Sequence, residues 1–125
     1  MSKITVTRKK LEELLEDLEK RSDIMASALV TRDGLVMASA LPKEIDEDAI
    51  SAMAGMMLGL GNRVGIVLKR GAAEQVIING KEGYAILTEC GPAVLIGLAP
   101  SDAKLGILLY EMKDTANAIK NIMMK

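Results

Sequence analysis

Seven consecutive residues, Ala93-Val94-Leu95-Ile96-Gly97-Leu98-Ala99, carry no polar side chain. The run is shorter than a typical helix and lacks the alternation of a strand with one wet face, so it reads as a strand covered on both sides. A sheet holding such a strand needs helices on both faces, which narrows the fold to a three-layer α/β sandwich. With 125 residues, half of them apolar, a single domain spanning residues 1–125 can supply that core without metals or crosslinks.

The rest of the chain supplies the layers. Leu11, Leu14, Leu15 and Leu18 recur at helical spacing among charged residues and predict an amphipathic first helix. Thr7 is expected to cap it, with Val6 stapled to Leu11, Glu16 paired with Lys20, and an end near Arg21 to Asp23. Strands at 25–31 and 35–40 are joined by Arg32-Asp33-Gly34, whose Asp-Gly suits a tight hairpin. Pro42 then breaks the chain, and Asp46 caps a second helix with Glu47 and Asp48 at its positive dipole end and Ile45 stapled to Ile50. Arg63, Lys69 and Arg70 lie toward its other end, and Gly71 follows.

Three more apolar runs, 75–79, 84–89 and 93–99, are separated by Gly80-Lys81-Glu82-Gly83 and Cys90-Gly91-Pro92 and predict a meander. Ser101 is expected to cap a last helix with Leu105, Leu108, Leu109, Met112, Ala116, Ile119 and Met123 on one stripe. The expected order is α-β-β-α-β-β-β-α around a five-stranded, mainly antiparallel sheet.

Composition argues against chemistry. With no histidine, the chain lacks the commonest neutral-pH base and metal ligand. A net charge of -1 offers no basic field for nucleic acid, and base stacking would rest on Tyr84 and Tyr110 alone. The single Cys90 excludes an intrachain disulfide, has no base to activate it, and suits a reducing, cytoplasmic setting. Arg8-Lys9-Lys10 lead into a charged segment, unlike a secretory signal, and the apolar run 49–60 falls short of the ~20 residues of a membrane span, so no membrane insertion is expected.

Glycine patterns do not rescue a catalytic reading. Gly59-Leu60-Gly61-Asn62-Arg63-Val64-Gly65 has the wrong spacing for a dinucleotide loop and lies in a helical stretch, and Gly80-Lys81 lacks the glycine of a phosphate loop. The chain is expected to hydrolyse no GTP itself. The acidic residues 46–48 are explained by the helix dipole, so neither metal nor cofactor is assigned, and the chain reads as a non-enzyme.

The second helix constrains function most. Projection at ~100° per residue sets Ile50, Met53, Met57, Leu60, Val64 and Leu68 on the side expected to meet the sheet. Opposite lie Ala52, Gly55, Gly59, Asn62 and Ile66, a mostly small face where solvent exposure would call for charge. Each helical glycine costs ~1 kcal/mol against alanine, so Gly55, Gly59, Gly61 and Gly65 need a tertiary return through close approach of another backbone, unless they mark a bend or early end near Gly61. Met56 flanks this face, where dimer packing and contact with another protein are both open to it. The third strand, Gln75, Val76, Ile77, Ile78 and Asn79, presents an edge that invites association.

Three phrases in order carry a family resemblance: Ala28-Leu29-Val30-Thr31-Arg32-Asp33-Gly34-Leu35-Val36-Met37-Ala38-Ser39; Glu74-Gln75-Val76-Ile77-Ile78; and 93–99 followed by Leu105-Gly106. Together they resemble the roadblock (dynein light chain) family, most closely its free-standing prokaryotic members. The resemblance implies a profilin-like fold and a homodimer joined at the second helix and third strand. It also implies a regulator or scaffold for a small Ras-like GTPase, for which Met56, Arg63, Lys69 and Arg70 are the partner-binding candidates. A structural adaptor that never meets a GTPase is the alternative.

Overall fold

The computed structural model describes residues 3–124, with side chains from Thr7 onward. Its elements are α1 (Lys3–Arg21), β1 (Ala26–Thr31), β2 (Val36–Ala40), α2 (Glu47–Val67), β3 (Gln75–Gly80), β4 (Gly83–Cys90), β5 (Ala93–Ala99) and α3 (Leu105–Met123). The five strands form one sheet in the order β2-β1-β5-β4-β3, every neighbouring pair antiparallel. The expected order of elements and the three-layer α/β/α build are those observed.

β5 lies at the centre of the sheet. Its Val94 and Ile96 pack with Val30, Leu87, Ala54 and Leu58 beneath α2, while Ala93, Leu95 and Ala99 join Leu29, Ile86, Leu108 and Met112 in the larger core under α1 and α3. The absence of polar alternation in 93–99 thus has the physical cause read from it. The β1–β2 turn closes on Gly34 at φ 101, with the Leu35 N–H bonded to Thr31 Oγ1 at 2.9 Å and the Thr31 hydroxyl donating to Asp33.

Both proposed caps at the outer helices are corrected. α1 begins at Lys3, so Thr7 sits inside the helix and does not cap it; the Val6 staple lies outside the described side chains. α3 begins at Leu105 with Lys104 in the cap position and no side-chain cap bond, because Ser101 is taken up in the turn that follows β5. Among the described residues the helical ion pairs on α1 are Arg8–Glu12 and Arg21–Asp17 rather than Glu16–Lys20.

Arg21 also ties α1 to α3. Its guanidinium meets Glu111 at 3.0 Å and Asp114 at 3.3 Å and donates to Thr115 Oγ1 at 2.6 Å. At the other end of α3, Lys120 bridges to Glu89 on β4 at 2.8 Å, and Glu89 also accepts the Gly91 N–H at 2.7 Å. Burial alone would push the Glu89 carboxyl up, but the Lys120 and Gly91 hydrogen bonds and the charges of Lys120 and Arg32 hold it below the ordinary 4.5. Cys90, next along the strand, is fully buried and donates toward the Ala116 carbonyl; burial pushes its thiol up to about 12, which keeps it protonated and structural.

The roll of α2 corrects the sequence reading. Ser51, Ala54 and Leu58 are buried, whereas Met53, Leu60, Val64 and Leu68, expected against the sheet, are exposed. Only part of the small face points inward: Gly55 and Asn62 do, whereas Ala52, Gly59 and Ile66 are exposed. A Cβ on Gly55 would collide with the Arg32 carbonyl oxygen, one on Gly65 with the Gly71 carbonyl oxygen, and one on Gly61 would stand 3.0 Å from Val76 Cγ2. Asn62 faces the same way, its Oδ1 accepting the Ala73 N–H at 2.8 Å. The close approach inferred from the glycines is therefore made by this chain's own backbone, and α2 runs unbroken through Gly61. Gly59 alone of the four has open space beside it.

Gly55→Ala or Gly65→Ala should lower stability by about 2 kcal/mol or more through overpacking, and Gly59→Ala should leave it equal or raise it by ~1 kcal/mol, as read by urea denaturation. For Glu89, a lowered carboxyl pKa stabilises the fold above the ordinary value, and that contribution is lost as pH falls through the lowered one. Glu89→Gln should therefore cost about 1 kcal/mol at pH 7 and shrink the loss of stability between neutral and acid pH.

Candidate functional site

With Gly55, Asn62, Leu58 and Ala54 turned into the chain, a set of apolar residues on the opposite side of α2 faces outward. Met53, Met56, Leu60, Val64 and Val67 form a continuous stripe at helical spacing, with Met56 at 66%, Leu60 at 64% and Val67 at 75% exposure. Single exposed apolar residues are ordinary, but an uninterrupted stripe on one helix marks an association surface. α2 is long and apolar enough to cross a membrane by length and composition alone, at a mean hydropathy of 1.3. In this fold its inner face is instead committed to the sheet, where Ala54 and Leu58 are fully buried.

The helix ends in a Schellman turn. Leu68 is the C-cap, the Lys69 N–H bonds the Ile66 carbonyl at 3.0 Å and the Arg70 N–H the Gly65 carbonyl at 2.7 Å. Lys69 occupies the left-handed position, φ 62, that glycine usually takes. Arg63 lies on the helix itself, whereas Lys69 and Arg70 fall just past its end; all three are exposed. Arg63 lines a shallow depression with Leu60, Val64, Val67 and Leu68.

Beside α2, β3 is an open edge of the sheet. α2 passes over its beginning, where Gly61 meets Val76 and Ala73. The other end is bare, and a groove of about 720 Å³ opens there, lined among others by Met25, Ile45, Ile78, Ala85 and Leu98. β3 borders both features: α2 crosses its Val76 end, and the groove takes in Ile78 near its other end.

The candidate interface residues divide accordingly. Ala52, Met56 and Gly59 on α2 and Ile77, Ile78 and Asn79 on β3 are exposed. Val76 is half-buried under α2, and Gln75 donates to Thr88 Oγ1 and to the Leu109 carbonyl, both at 3.2 Å. Gly55 and Asn62 are turned into their own chain, which removes the reason for placing them at a contact with a second copy. Met53, Leu60, Val64 and Val67 are the surface residues that sequence reasoning missed. The available signal was that a face of glycines spaced for close approach fits equally well against a sheet.

Among the described residues no group of three or more Cys, Asp and Glu side chains is placed to hold a metal. Asp46 instead caps α2, accepting the Ala49 N–H at 3.1 Å. The surface is thus suited to burying apolar area against a macromolecule.

Comparison with known proteins agrees with this architecture. A protein of Methanocaldococcus jannaschii described as uncharacterised is 33% identical over 110 residues, covering 88% of this chain and 96% of the relative. The solved structure of Myxococcus xanthus MglB superposes with a TM-score of 0.85 at 16% identity, over 94% of this chain and 90% of that one. Acanthamoeba castellanii profilin IB shares the fold at a TM-score of 0.69 and 11% identity, covering 89% and 97%. The Roadblock/LC7 domain profile matches residues 10–99, from α1 to the end of β5, and the chain belongs to the Roadblock/LC7 family.

Proposed function

We propose that this chain is a cytoplasmic homodimeric binding module that docks a small Ras-like GTPase and performs no chemistry of its own. The observations that carry the dimer are the open β3 edge with the bare groove at its Ile78 end, and the apolar stripe exposed on α2. One symmetry operation satisfies all three. A twofold axis through the middle of β3, normal to the sheet, joins the two edges into one continuous sheet. Because α2 covers only the Val76 end of β3, the same axis carries the second copy's α2 over the Ile78 end, where the groove lies. Leu60 and Val64 then face their counterparts, while Met56 and Arg63 remain on the outer rim.

The GTPase reading rests on family membership and on that rim. Met56 supplies a flexible apolar contact, and Arg63 with Lys69 and Arg70 supplies positive charge. A GTPase offers switch segments whose order depends on the γ-phosphate, so a rigid platform of paired helices can favour one nucleotide state.

Light scattering at micromolar concentration should give twice the 13.4 kDa chain mass, and Leu60→Asp with Val64→Asp should weaken association by at least about a hundredfold while circular dichroism stays native. A monomeric wild type would sink the dimer. Titration of the dimer against small GTPases of the same genome, loaded with GDP or a non-hydrolysable GTP analogue, should show state-dependent binding that Arg63→Glu weakens roughly tenfold or more. Binding to none of them in either state would favour the structural adaptor instead. Binding that survives charge reversal at Arg63, Lys69 and Arg70 together would move the site elsewhere.

A further inference from the structure

The β3 edge carries a pattern that reads alike in both directions. Gln75-Val76-Ile77-Ile78-Asn79 is amide, branched apolar, isoleucine, branched apolar, amide. Strands related by a twofold axis run antiparallel, so each residue before the axis meets the one equally far beyond it on the other copy. Only a segment palindromic in side-chain chemistry then matches like with like.

The faces of β3 restrict where the axis can fall. Gln75 reaches Thr88 and the Leu109 carbonyl on the α3 side, which puts Ile77 and Asn79 on that face too. Val76 packs with the α2 cluster, and Ile78 lines the groove on the same side. Directly opposed residues of an antiparallel pair share a face, so the axis passes beside one residue rather than between two. Centred on Val76, the pairing sets Gln75 against Ile77 and Glu74 against Ile78. Centred on Ile78, it sets Asn79 against Ile77 and Val76 against Gly80. Only an axis at Ile77 matches Gln75 with Asn79, Val76 with Ile78 and Ile77 with itself.

We infer that β3 recognises a second copy of this chain in the single register that places Ile77 against Ile77, with the Gln75–Asn79 amide pairs selecting self over other edge strands. This rests on the dimer proposed above and assigns its register and specificity. Ile78 then lies against the Val76 of the second copy, so the pairing continues the α2-side apolar surface across the axis.

Cysteine pairing in the full chain tests it, in a Cys90→Ser background that removes the native thiol. Opposed residues hold Cβ atoms ~5 Å apart, which a small backbone shift brings into disulfide range, so Ile77→Cys should give a covalent dimer on mild oxidation. Val76→Cys or Ile78→Cys alone should crosslink roughly tenfold more slowly or worse, yet a mixture of those two variants should crosslink to each other. The mixture leaves Ile77 intact and reads the same register should Ile77→Cys fold poorly. Faster self-crosslinking at Val76 or Ile78 would overturn the register. A dimer by light scattering that crosslinks at none of these positions would overturn β3 pairing while leaving the dimer reading intact, whereas a monomer would remove both.

Discussion

The close approach of α2 to the hairpin at Gly55 decides how the molecule meets its surroundings. Any side chain at 55 would strike the Arg32 carbonyl, so the helix sits low on the sheet only with this face down. At the other end Asn62 holds the Ala73 N–H and Gly61 packs on Val76, which fixes the helix in the same sense. With both points held the helix cannot roll: Leu58 fills the interface, and Met53, Met56, Leu60, Val64 and Val67 are turned outward. The conformational cost of glycine in a helix is offset within the chain by a short interlayer distance.

The other layer is held in a different way. α1 and α3 interdigitate large side chains with the sheet, where Leu15, Leu18, Leu108, Met112 and Ile119 are fully buried. Arg21 locks the two helices to each other. Two helices therefore cover one face of the sheet, while α2 alone crosses the other and leaves the Ile78 end bare. The unburied apolar surface gathers at α2 and β3 because of that imbalance.

Much of this was legible in the residues. Strand and helix periods differ, and Asp33-Gly34, Gly80 to Gly83 and Gly91-Pro92 punctuate them, so the order of elements and the span of β5 could be read directly. Helix starts were less legible at Thr7 and Ser101, since a hydroxyl residue suits a cap, a turn or a helix interior and local sequence does not choose among them. Of the proposed interface residues, Ala52, Met56, Gly59, Ile77, Ile78 and Asn79 are exposed, Gln75 and Val76 are half-buried, and Gly55 and Asn62 turn into their own chain.

α2 shows where sequence stops and tertiary structure begins. By itself the sequence determined that this segment is a capped helix, apolar on nearly all sides, with glycines that require close approach of some backbone. Which backbone, and hence which face turns outward, was decided only when the hairpin carbonyl at Arg32 and the start of β3 at Ala73 and Val76 were brought beneath it. The physical reason is that periodicity orients a helix only when one side is polar. Where both sides are apolar, the deciding quantity is a distance between segments far apart in sequence, and only the folded chain sets it.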